Sequence, residues 1–213
     1  MSTGKFISLE GSEGVGKSTN LEFVRAYLER KGLEVVVTRE PGGTPMAEEI
    51  RELLLKPRDE KVDHTAELLL MFAARAQHLN THIKPALERG AWVLCDRFTD
   101  ATFAYQGGGR RLGVESVRSV NDWALDGRWP DVVVLLDCPP GEGPRGRPGN
   151  DRLEQEAVDF HEAVRTTYLA VAEAEPNRFI VLPALGSIDE VAERVWAALT
   201  DRFEWDDAGR GGR

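Results

Sequence analysis

A glycine-rich octapeptide at residues 11–18, GSEGVGKS, constrains the fold of this chain of 213 residues more than any other feature. It fits the pattern G-x-x-x-x-G-K-[ST], whose glycines let consecutive backbone N–H groups curl around a phosphate. A short apolar run at residues 6–9 precedes it, and Leu21, Val24 and Leu28 follow it at helical spacing. Strand, glycine turn and helix form the context that the motif requires. We therefore interpret residues 11–18 as a loop that binds a nucleoside triphosphate.

Two side chains of this loop are predicted to bind the phosphates and the metal directly. Lys17 is a mobile cation for the β- and γ-phosphates, and the hydroxyl of Ser18 is a ligand for Mg²⁺. The helix that begins after the loop adds partial positive charge at its N-terminus. The predicted triphosphate-binding residues are Gly11, Ser12, Glu13, Gly14, Val15, Gly16, Lys17, Ser18 and Thr19.

The rest of the chain alternates short apolar runs with amphipathic segments. The predicted strands are residues 6–9, 35–38, 92–96, 132–137 and 179–182. The predicted helices are residues 18–31, 46–55, 64–88, 99–107, 114–127, 153–174 and 187–203. This alternation predicts an α/β fold, a five-stranded parallel sheet covered by helices on both faces. Ligands of such sheets bind beyond the carboxyl ends of the strands.

Composition bounds the remaining possibilities. The net charge of −9 argues against a broad nucleic-acid-binding face, which needs clustered Lys and Arg. No apolar run is long enough to cross a membrane, and the N-terminal residues lack the apolar stretch of a secretory signal. Cys95 and Cys138 are predicted to be small buried thiols in a reducing compartment. His78 and His82, four residues apart, are interpreted as part of a solvated helix face. We therefore expect a cytoplasmic protein with no nucleic-acid or membrane partner.

The segment at residues 92–97, WVLCDR, carries the second chemical signal. An apolar strand that ends in Asp96 places a carboxylate beside the phosphate loop if the two strands are neighbours. Such a carboxylate can hold Mg²⁺, directly or through water. Arg97 adds a planar guanidinium that suits a phosphate group. We predict that both residues belong to the catalytic site.

Two segments lack regular patterning. The first lies at about residues 138–152, is rich in Pro and Gly, and contains Arg145 and Arg147. We interpret it as a short lid that brings arginine to a transferring phosphoryl group; a plain surface loop is the alternative. The second, residues 205–213, is predicted to be a flexible tail, which leaves residues 1–204 as one domain.

Four further motifs resemble those of the bacterial thymidylate kinase family. They are TREPGGT at residues 38–44, LMFAARAQH at 70–78, the run DRFTDATFAYQGGGR at 96–110, and DRLEQE at 151–156. With the phosphate loop, the resemblance covers about residues 4–200. It implies a P-loop nucleoside monophosphate kinase fold, transfer of the γ-phosphoryl group of ATP to dTMP in dTTP biosynthesis, Mg²⁺, and a homodimer.

The resemblance also implies roles around the phosphates and the sugar. Glu13 matches the carboxylate that faces the 3′-hydroxyl of the deoxyribose. Arg51 and Arg97 match arginines near the acceptor 5′-phosphate. Asp96 matches the carboxylate near the metal, and Glu40 is expected to face the same region.

Around the base, the resemblance assigns Arg75 to the O4 atom of thymine. Thr102 and Gln106 match polar contacts to the pyrimidine edge, and their spacing of four residues would place both on one helix face. Tyr105 matches the ring that packs against C2′ and disfavours ribose.

The chain departs from the family pattern at the residue that covers the base. The family usually has Phe four residues before the base-contacting arginine. Here that position is Met71, and Phe72 follows it. A thioether packs well on an aromatic ring, so both residues are candidates.

The second departure concerns the lid, where prolines replace the usual arginine-rich helix. Relatives whose phosphate loop lacks arginine take their catalytic arginine from the lid. Residues 13–16 contain none. Arg145, Arg147 and Arg152 are therefore the candidates, and Arg152 is the one whose motif is intact.

Other functions stay open on these residues. One alternative is a kinase for another pyrimidine deoxynucleotide, such as dUMP or a 5-modified dUMP. A second is a nucleotide-binding protein that has lost phosphoryl transfer, against which Lys17, Arg97 and Arg152 argue. A nucleic-acid-dependent ATPase is disfavoured by the acidic charge balance.

Overall fold

A parallel sheet of five strands forms the centre of the molecule. The computed structural model describes residues 4–12, 14–142, 152–153 and 155–205. The strand order is β2-β3-β1-β4-β5, and every neighbouring pair is parallel. The strands are β1 (Phe6–Gly11), β2 (Val35–Arg39), β3 (Trp92–Asp96), β4 (Val132–Asp137) and β5 (Phe179–Pro183). All five predicted strands are thus confirmed, with ends that shift by no more than two residues.

Eight α-helices connect these strands within the described residues. They are α1 (Lys17–Arg30), α2 (Pro45–Leu55), α3 (His64–His78), α4 (Lys84–Glu88), α5 (Thr99–Thr102), α6 (Val114–Leu125), α7 (Val158–Ala174) and α8 (Ile188–Phe203). Two π-helical segments, Leu79–Ile83 and Phe103–Gly109, follow α3 and α5. The predicted helices at 64–88 and 99–107 were therefore wrong in detail, because each contains a wider π turn. The helix predicted from residue 153 begins only at Val158.

Glycines explain part of the π-helical segment Phe103–Gly109. A Cβ atom on Gly108 would lie 2.0 Å from Oγ1 of Thr167, and one on Gly109 would lie 2.5 Å from the ring of Phe160. Both neighbours belong to α7. The glycine run therefore allows this segment to pack directly against α7, which a side chain would prevent.

The sheet buries both of its faces. Successive side chains of a strand point to opposite faces, and Phe6 and Ile7 accordingly belong to two different hydrophobic clusters. The cluster around Phe6 is covered by α3, α6 and α7, and the cluster around Ile7 by α1 and α8. This arrangement confirms the prediction of helices on both faces.

The far end of the chain is packed up to Trp205. Its ring centroid lies 5.1 Å from that of Tyr27 and 5.3 Å from that of Phe203. The predicted tail began at this residue; residues 206–213 lie outside the described residues. Cys95 and Cys138 are buried free thiols, as predicted. In the described part of the chain, every helix is too short or too polar to span a bilayer.

The topology brings three strand ends together at one edge of the sheet. β1 lies between β3 and β4, and β3 lies between β1 and β2. Leu9 of β1 and Arg39 of β2 are both in register with Asp96 of β3. The phosphate loop, Asp96 and the segment after Arg39 therefore meet at the carboxyl edge, where the sequence places its motifs.

Candidate active site

The loop after β1 has the backbone conformation that an anion-binding turn needs. Gly11, Gly14 and Gly16 have φ values of 133°, 76° and 90°, a region that other residues rarely adopt. A Cβ atom on Gly11 would also lie 2.4 Å from the carbonyl oxygen of Leu136. The Lys17 ammonium donates to the carbonyl oxygen of Ser12 at 2.8 Å, so the loop itself holds this cation. Glu13 lies outside the described residues.

Ser18 and Asp96 meet beside this loop. The Ser18 hydroxyl donates to Oδ2 of Asp96 at 3.3 Å. The other carboxylate oxygen, Oδ1, is buried and has no hydrogen-bond partner among the residues that the structure describes. A buried anionic oxygen without a donor fits a cation or a water held by one. In the described ranges, no group of three or more His, Cys, Asp or Glu side chains could hold a metal ion by itself.

A cavity of about 310 Å³ opens at the same edge of the sheet. Its wall joins the Ser18–Asp96 pair to residues from α2, α3, α5 and the following π-helical segment. The predicted site residues that line it are Ser18, Glu40, Arg51, Met71, Arg75, Asp96, Arg97, Thr102, Tyr105 and Gln106. The cavity is large enough for a small ligand such as a mononucleotide.

Arg75 forms the floor of the cavity. Its side chain is only 3% exposed. Nη1 donates to the Thr102 hydroxyl at 2.9 Å, and Nη2 donates to the carbonyl oxygen of Phe98 at 3.1 Å. Nε donates to Oε2 of Glu40 at 2.5 Å. These bonds hold the guanidinium in one orientation, so it presents fixed donors rather than a mobile charge.

Glu40 lines the same cavity and pairs with Arg75; its expected place near the acceptor phosphate and the metal stays a prediction. Its other carboxylate oxygen pairs with Nδ1 of His78 at 2.9 Å, and Nε2 of His78 pairs with the Thr38 hydroxyl at 2.7 Å. His78 is completely buried, so its interpretation as part of a solvated face was wrong. A Cβ atom on Gly43 would lie 2.4 Å from Nε2 of His78. The motif at residues 38–44 therefore encloses His78 and supports Arg75.

Met71 and Phe72 occupy different places. Met71 lines the cavity. Phe72 is 3% exposed and belongs to the hydrophobic core, where its ring centroid lies 5.2 Å from the Arg75 guanidinium. Adjacent helical residues diverge by about 100°, which explains why only one of the two faces the cavity.

The backbone of Arg97 has an unusual conformation, and a chain of buried hydrogen bonds supports it. Its φ is 68°, a left-handed conformation that is uncommon for a residue with a side chain. Nη1 of Arg97 donates to the Tyr168 hydroxyl at 3.3 Å, and that hydroxyl donates to Oε2 of Glu10 at 2.8 Å. The N–H of Phe98 donates to the other oxygen of Glu10 at 2.7 Å. Glu10 thus fixes the turn that carries Arg97 into the cavity.

Burial, with the nearby charge of Asp100 second, raises the pKa of Glu10 to about 8. The folded chain therefore keeps a proton on Glu10 that the unfolded chain, where the ordinary glutamate pKa is 4.5, has already released. Stability that depends on this proton is present at low pH and is lost as the pH rises toward about 8.

This shift predicts a pH dependence of stability. Relative to a Glu10→Gln variant, the free energy of unfolding of the wild type should fall between about pH 5 and about pH 8, by up to about 1.4 kcal/mol per pH unit. Urea unfolding of both proteins across this range measures the difference. Parallel pH profiles would contradict the assignment.

Arg51 and Tyr105 complete the wall near Arg97. Nη1 of Arg51 donates to the carbonyl oxygen of Pro41 at 2.8 Å, which directs its side chain toward the strand ends. The Tyr105 ring centroid lies 5.1 Å from the Arg97 guanidinium and 6.0 Å from the ring of Phe160. Two arginines and a tyrosine ring therefore line the cavity, and guanidinium groups suit a phosphate.

Arg152 is tied to α2 and α3 in this structure. Its Nη2 donates to Oε2 of Glu67 at 2.5 Å, and its Nε donates to the carbonyl oxygen of Leu54 at 3.1 Å. The structure therefore does not bring Arg152 to the phosphate loop. The other two candidates for the lid arginine, Arg145 and Arg147, lie outside the described residues.

Sequence reasoning missed two groups of residues. The additional lining residues are Arg39, Pro41, Leu55, Ala101, Leu153 and His161. The supporting residues are Glu10, Glu67, His78 and Tyr168. Glu10 carried a usable signal, since a charged residue within an apolar strand needs a buried partner. The other supporting contacts join residues far apart in the sequence and have no local signal.

The fold and this site define a class of protein. The first strand of a parallel sheet leads into a phosphate loop, and an arginine-lined pocket lies beyond the ends of the neighbouring strands. This combination is the P-loop nucleoside monophosphate kinase fold.

Comparisons with known proteins identify the family. Residues 9–195 match the family model described as thymidylate kinase. The chain is 56% identical over 208 residues to a thymidylate kinase of Chromohalobacter salexigens, with 95% of this chain and 98% of the relative covered. It is 54% identical over 206 residues to one of Hahella chejuensis, with 95% and 99% covered. The crystal structure of thymidylate kinase from Ehrlichia chaffeensis superposes with a TM-score of 0.78 at 32% identity, with 92% and 99% covered. The chain belongs to the thymidylate kinase family.

Proposed function

We propose that this chain transfers the γ-phosphoryl group of ATP to dTMP and forms ADP and dTDP. The observation that carries the proposal is one continuous cavity. Ser18 and Asp96, which meet beside the phosphate loop, line the same cavity as Arg75 and Gln106. The names of the relatives, which are thymidylate kinases, support the same reaction.

The donor would lie on the phosphate loop. The loop amides and Lys17 would bind the β- and γ-phosphates of ATP. The Ser18 hydroxyl and the Asp96 carboxylate would hold Mg²⁺, which when bound neutralises charge on the phosphate oxygens. The orphaned Oδ1 of Asp96 supports this assignment.

The acceptor would lie along the cavity with its phosphate toward Arg97 and Arg51. A 5′-phosphate oxygen of dTMP would attack the γ-phosphoryl group in line, with ADP as the leaving group and no covalent enzyme intermediate. The protein then contributes positioning and positive charge. Tyr105 would pack against C2′, and Glu13 would bind the 3′-hydroxyl.

At the base end, Arg75 would donate to O4 and Met71 would cover the ring. The position of Met71 on the cavity wall favours it over Phe72. Thr102 supports Arg75 and completes the polar edge with Gln106. This set of side chains suits a pyrimidine with an oxygen at C4.

A panel of acceptors tests this proposal and its nearest alternative. Coupled ADP release would be measured with ATP, Mg²⁺ and dTMP, dUMP, dCMP or a 5-substituted dUMP. We expect the highest kcat/KM with dTMP. A preference for dUMP or a 5-modified dUMP would instead favour the alternative, a kinase for that nucleotide.

The same assay identifies the catalytic arginine among Arg145, Arg147 and Arg152. Each would be changed to Ala. Loss of an arginine that stabilises the transferring group costs on the order of 10³-fold in kcat. Arg152 can act as the catalytic arginine only if its guanidinium leaves Glu67 and contacts the phosphoryl group instead.

We also propose that the protein is a homodimer. Apolar side chains are exposed on α3 and on the two helices that pack against it: Leu69 on α3, Leu53 on α2 and Trp123 on α6. Trp123 is 87% exposed. Large exposed apolar side chains on adjacent elements are typical of an interface between proteins.

The dimer leads to a testable prediction. Trp123→Lys combined with Leu69→Lys should convert a dimer of about 47 kDa, twice the chain mass of 23.6 kDa, to a monomer in light scattering after size exclusion. A buried lysine without a partner is costly at an interface. Ile188→Glu is the control, since Ile188 is 61% exposed on α8 and a dimer should persist. A wild-type monomer, or a dimeric double variant, would contradict the proposal.

Finally, we propose that the protein works in the cytoplasm. Its two described cysteines are buried and unpaired. Free thiols of this kind are expected in a reducing compartment.

A further inference from the structure

A carboxylate that no assigned role uses lies at the base end of the cavity. Glu67 of α3 is completely buried. Its Oε1 accepts from Nε2 of Gln106 at 2.7 Å and from Nε of Arg110 at 3.1 Å. Its Oε2 accepts from Nη2 of Arg110 at 3.2 Å and from Nη2 of Arg152 at 2.5 Å. Because Glu67 accepts hydrogen bonds from Gln106 and from the arginines beside it, we consider whether Glu67 controls the orientation of the Gln106 side chain.

The charge state of Glu67 is fixed by these partners. Burial alone would raise its pKa, but the hydrogen bonds from Arg110, Gln106 and Arg152 outweigh burial and lower the pKa. Glu67 is therefore ionised at neutral pH. An ionised carboxylate only accepts hydrogen bonds.

This fixes the orientation of the Gln106 amide. An amide has a donor end, the NH₂ group, and an acceptor end, the carbonyl oxygen. Only the NH₂ group can face an ionised carboxylate, so a rotation of the amide by 180° would place two acceptors together. The carbonyl oxygen is the end that is left for the cavity, which Gln106 lines.

Arg75, which also lines this cavity, only donates hydrogen bonds. The guanidinium of Arg75 has five N–H groups, and Glu40, Thr102 and the carbonyl of Phe98 accept from three different nitrogens. Arg75 and Gln106 therefore present a donor and an acceptor to one ligand edge.

This pair matches one kind of pyrimidine. Thymine and uracil carry an acceptor at O4 and a donor at N3–H, whereas cytosine carries a donor at its 4-amino group and an acceptor at N3. A cytosine in the same place would bring donor against donor at Arg75 and acceptor against acceptor at Gln106. Such mismatches leave buried polar groups without hydrogen-bond partners, which weakens binding.

We propose that Glu67 is a positioning residue that determines base specificity: it locks the amide of Gln106 with its carbonyl oxygen toward the base, so that the site accepts a 4-oxo pyrimidine and rejects a 4-amino pyrimidine. The inference rests on the proposed function, because it places the base of dTMP in this cavity. It goes beyond that function in assigning the discrimination to a residue that does not touch the substrate.

The test is Glu67→Gln. A neutral amide at position 67 both donates and accepts, so Gln106 can face it with either end. We expect the ratio of kcat/KM for dTMP to kcat/KM for dCMP to fall at least about tenfold, because a site with a fixed hydrogen-bond partner discriminates far better than one without. The folded fraction of each variant would be monitored by thermal unfolding.

Arg110→Lys is the matched control. It keeps a positive charge beside Glu67, so that the carboxylate stays ionised, and it replaces the two guanidinium hydrogen bonds while leaving the bond from Gln106 in place. If Glu67 acts through the amide of Gln106, this variant should lower both kcat/KM values together and keep the ratio within about twofold. A purely structural role of Glu67 would make the two variants behave alike.

Gln106→Leu gives a second, independent measurement if Glu67→Gln fails to fold. It removes the acceptor itself, so the same fall in the ratio is expected, and the double variant should show no further fall. A wild-type ratio in Glu67→Gln or in Gln106→Leu would overturn the proposal. If the wild type turns over no nucleotide, the proposed function fails, and calorimetric affinities for dTMP and dCMP in the same variants then decide the role of Glu67 separately.

Discussion

Lys17→Ala is expected to lower kcat by about 10³-fold or more. The transferring phosphoryl group spreads negative charge over its oxygens, and Lys17 is the cation that the phosphate loop itself positions. The loop carbonyls of Gly11 and Ser12 accept from Nζ at 3.4 Å and 2.8 Å, so the ammonium lies over the place where the phosphates would bind. Coupled ADP release with saturating ATP and dTMP measures the effect.

An exposed lysine provides the control for this variant. Lys61 lies in the loop between α2 and α3 and is solvent-exposed, so Lys61→Ala should keep kcat within about twofold of the wild type. A Lys17→Ala enzyme that retained more than about a tenth of wild-type turnover would contradict the role assigned to the loop.

Arg75→Lys is expected to raise KM for dTMP by about 10²-fold, with a much smaller change in kcat. Lysine retains the positive charge beside Glu40. It cannot form the planar fork that contacts Glu40 and Thr102 and that would, in the proposed function, also contact the base. Removal of the charge altogether would leave a buried carboxylate uncompensated and risk unfolding, which is why Arg75→Lys is the sharper variant. Initial rates across a range of dTMP concentrations separate the two constants.

A second arginine on the same protein serves as the control. Arg118 lies half-buried against Glu175 and the Trp129 ring, away from the cavity, so Arg118→Lys should leave KM for dTMP within about twofold. A fall in kcat without a change in KM for Arg75→Lys would contradict base contact by Arg75.

The parts of the site that the sequence could predict are those with local signals. The phosphate loop has its glycines at fixed spacing, and Asp96 ends an apolar strand. Their meeting depended on β1 and β3 being neighbours, which the register of Leu9 with Asp96 confirms. In a parallel sheet, strand ends are the one place where distant motifs must converge.

The supporting contacts could not be predicted because they are long-range. Glu40 and Arg75 are 35 residues apart, and Gln106 and Glu67 are 39 apart. Nothing in a single sequence specifies which buried acid pairs with which buried base. His78 appeared to share a solvated face with His82 because helical spacing does not show which side of α3 meets the end of β2.

Helix geometry was the other source of error. Residues 99–107 have a helical pattern, yet only Thr99–Thr102 is α-helical and a π-helical segment follows. The same segment packs Gly108 and Gly109 closely against α7, a tertiary contact that the helical pattern does not show. π-helical turns of this kind often occur at functional sites, and here the segment carries Tyr105 and Gln106.

Direct identification of the product tests the central claim. Purified protein would be incubated with ATP, Mg²⁺ and dTMP, and the nucleotides would be separated by anion-exchange chromatography and identified by mass. We expect dTDP and ADP in equal amounts with the wild type and neither above background with Lys17→Ala. ADP without dTDP, or equal dTDP from both proteins, would contradict it.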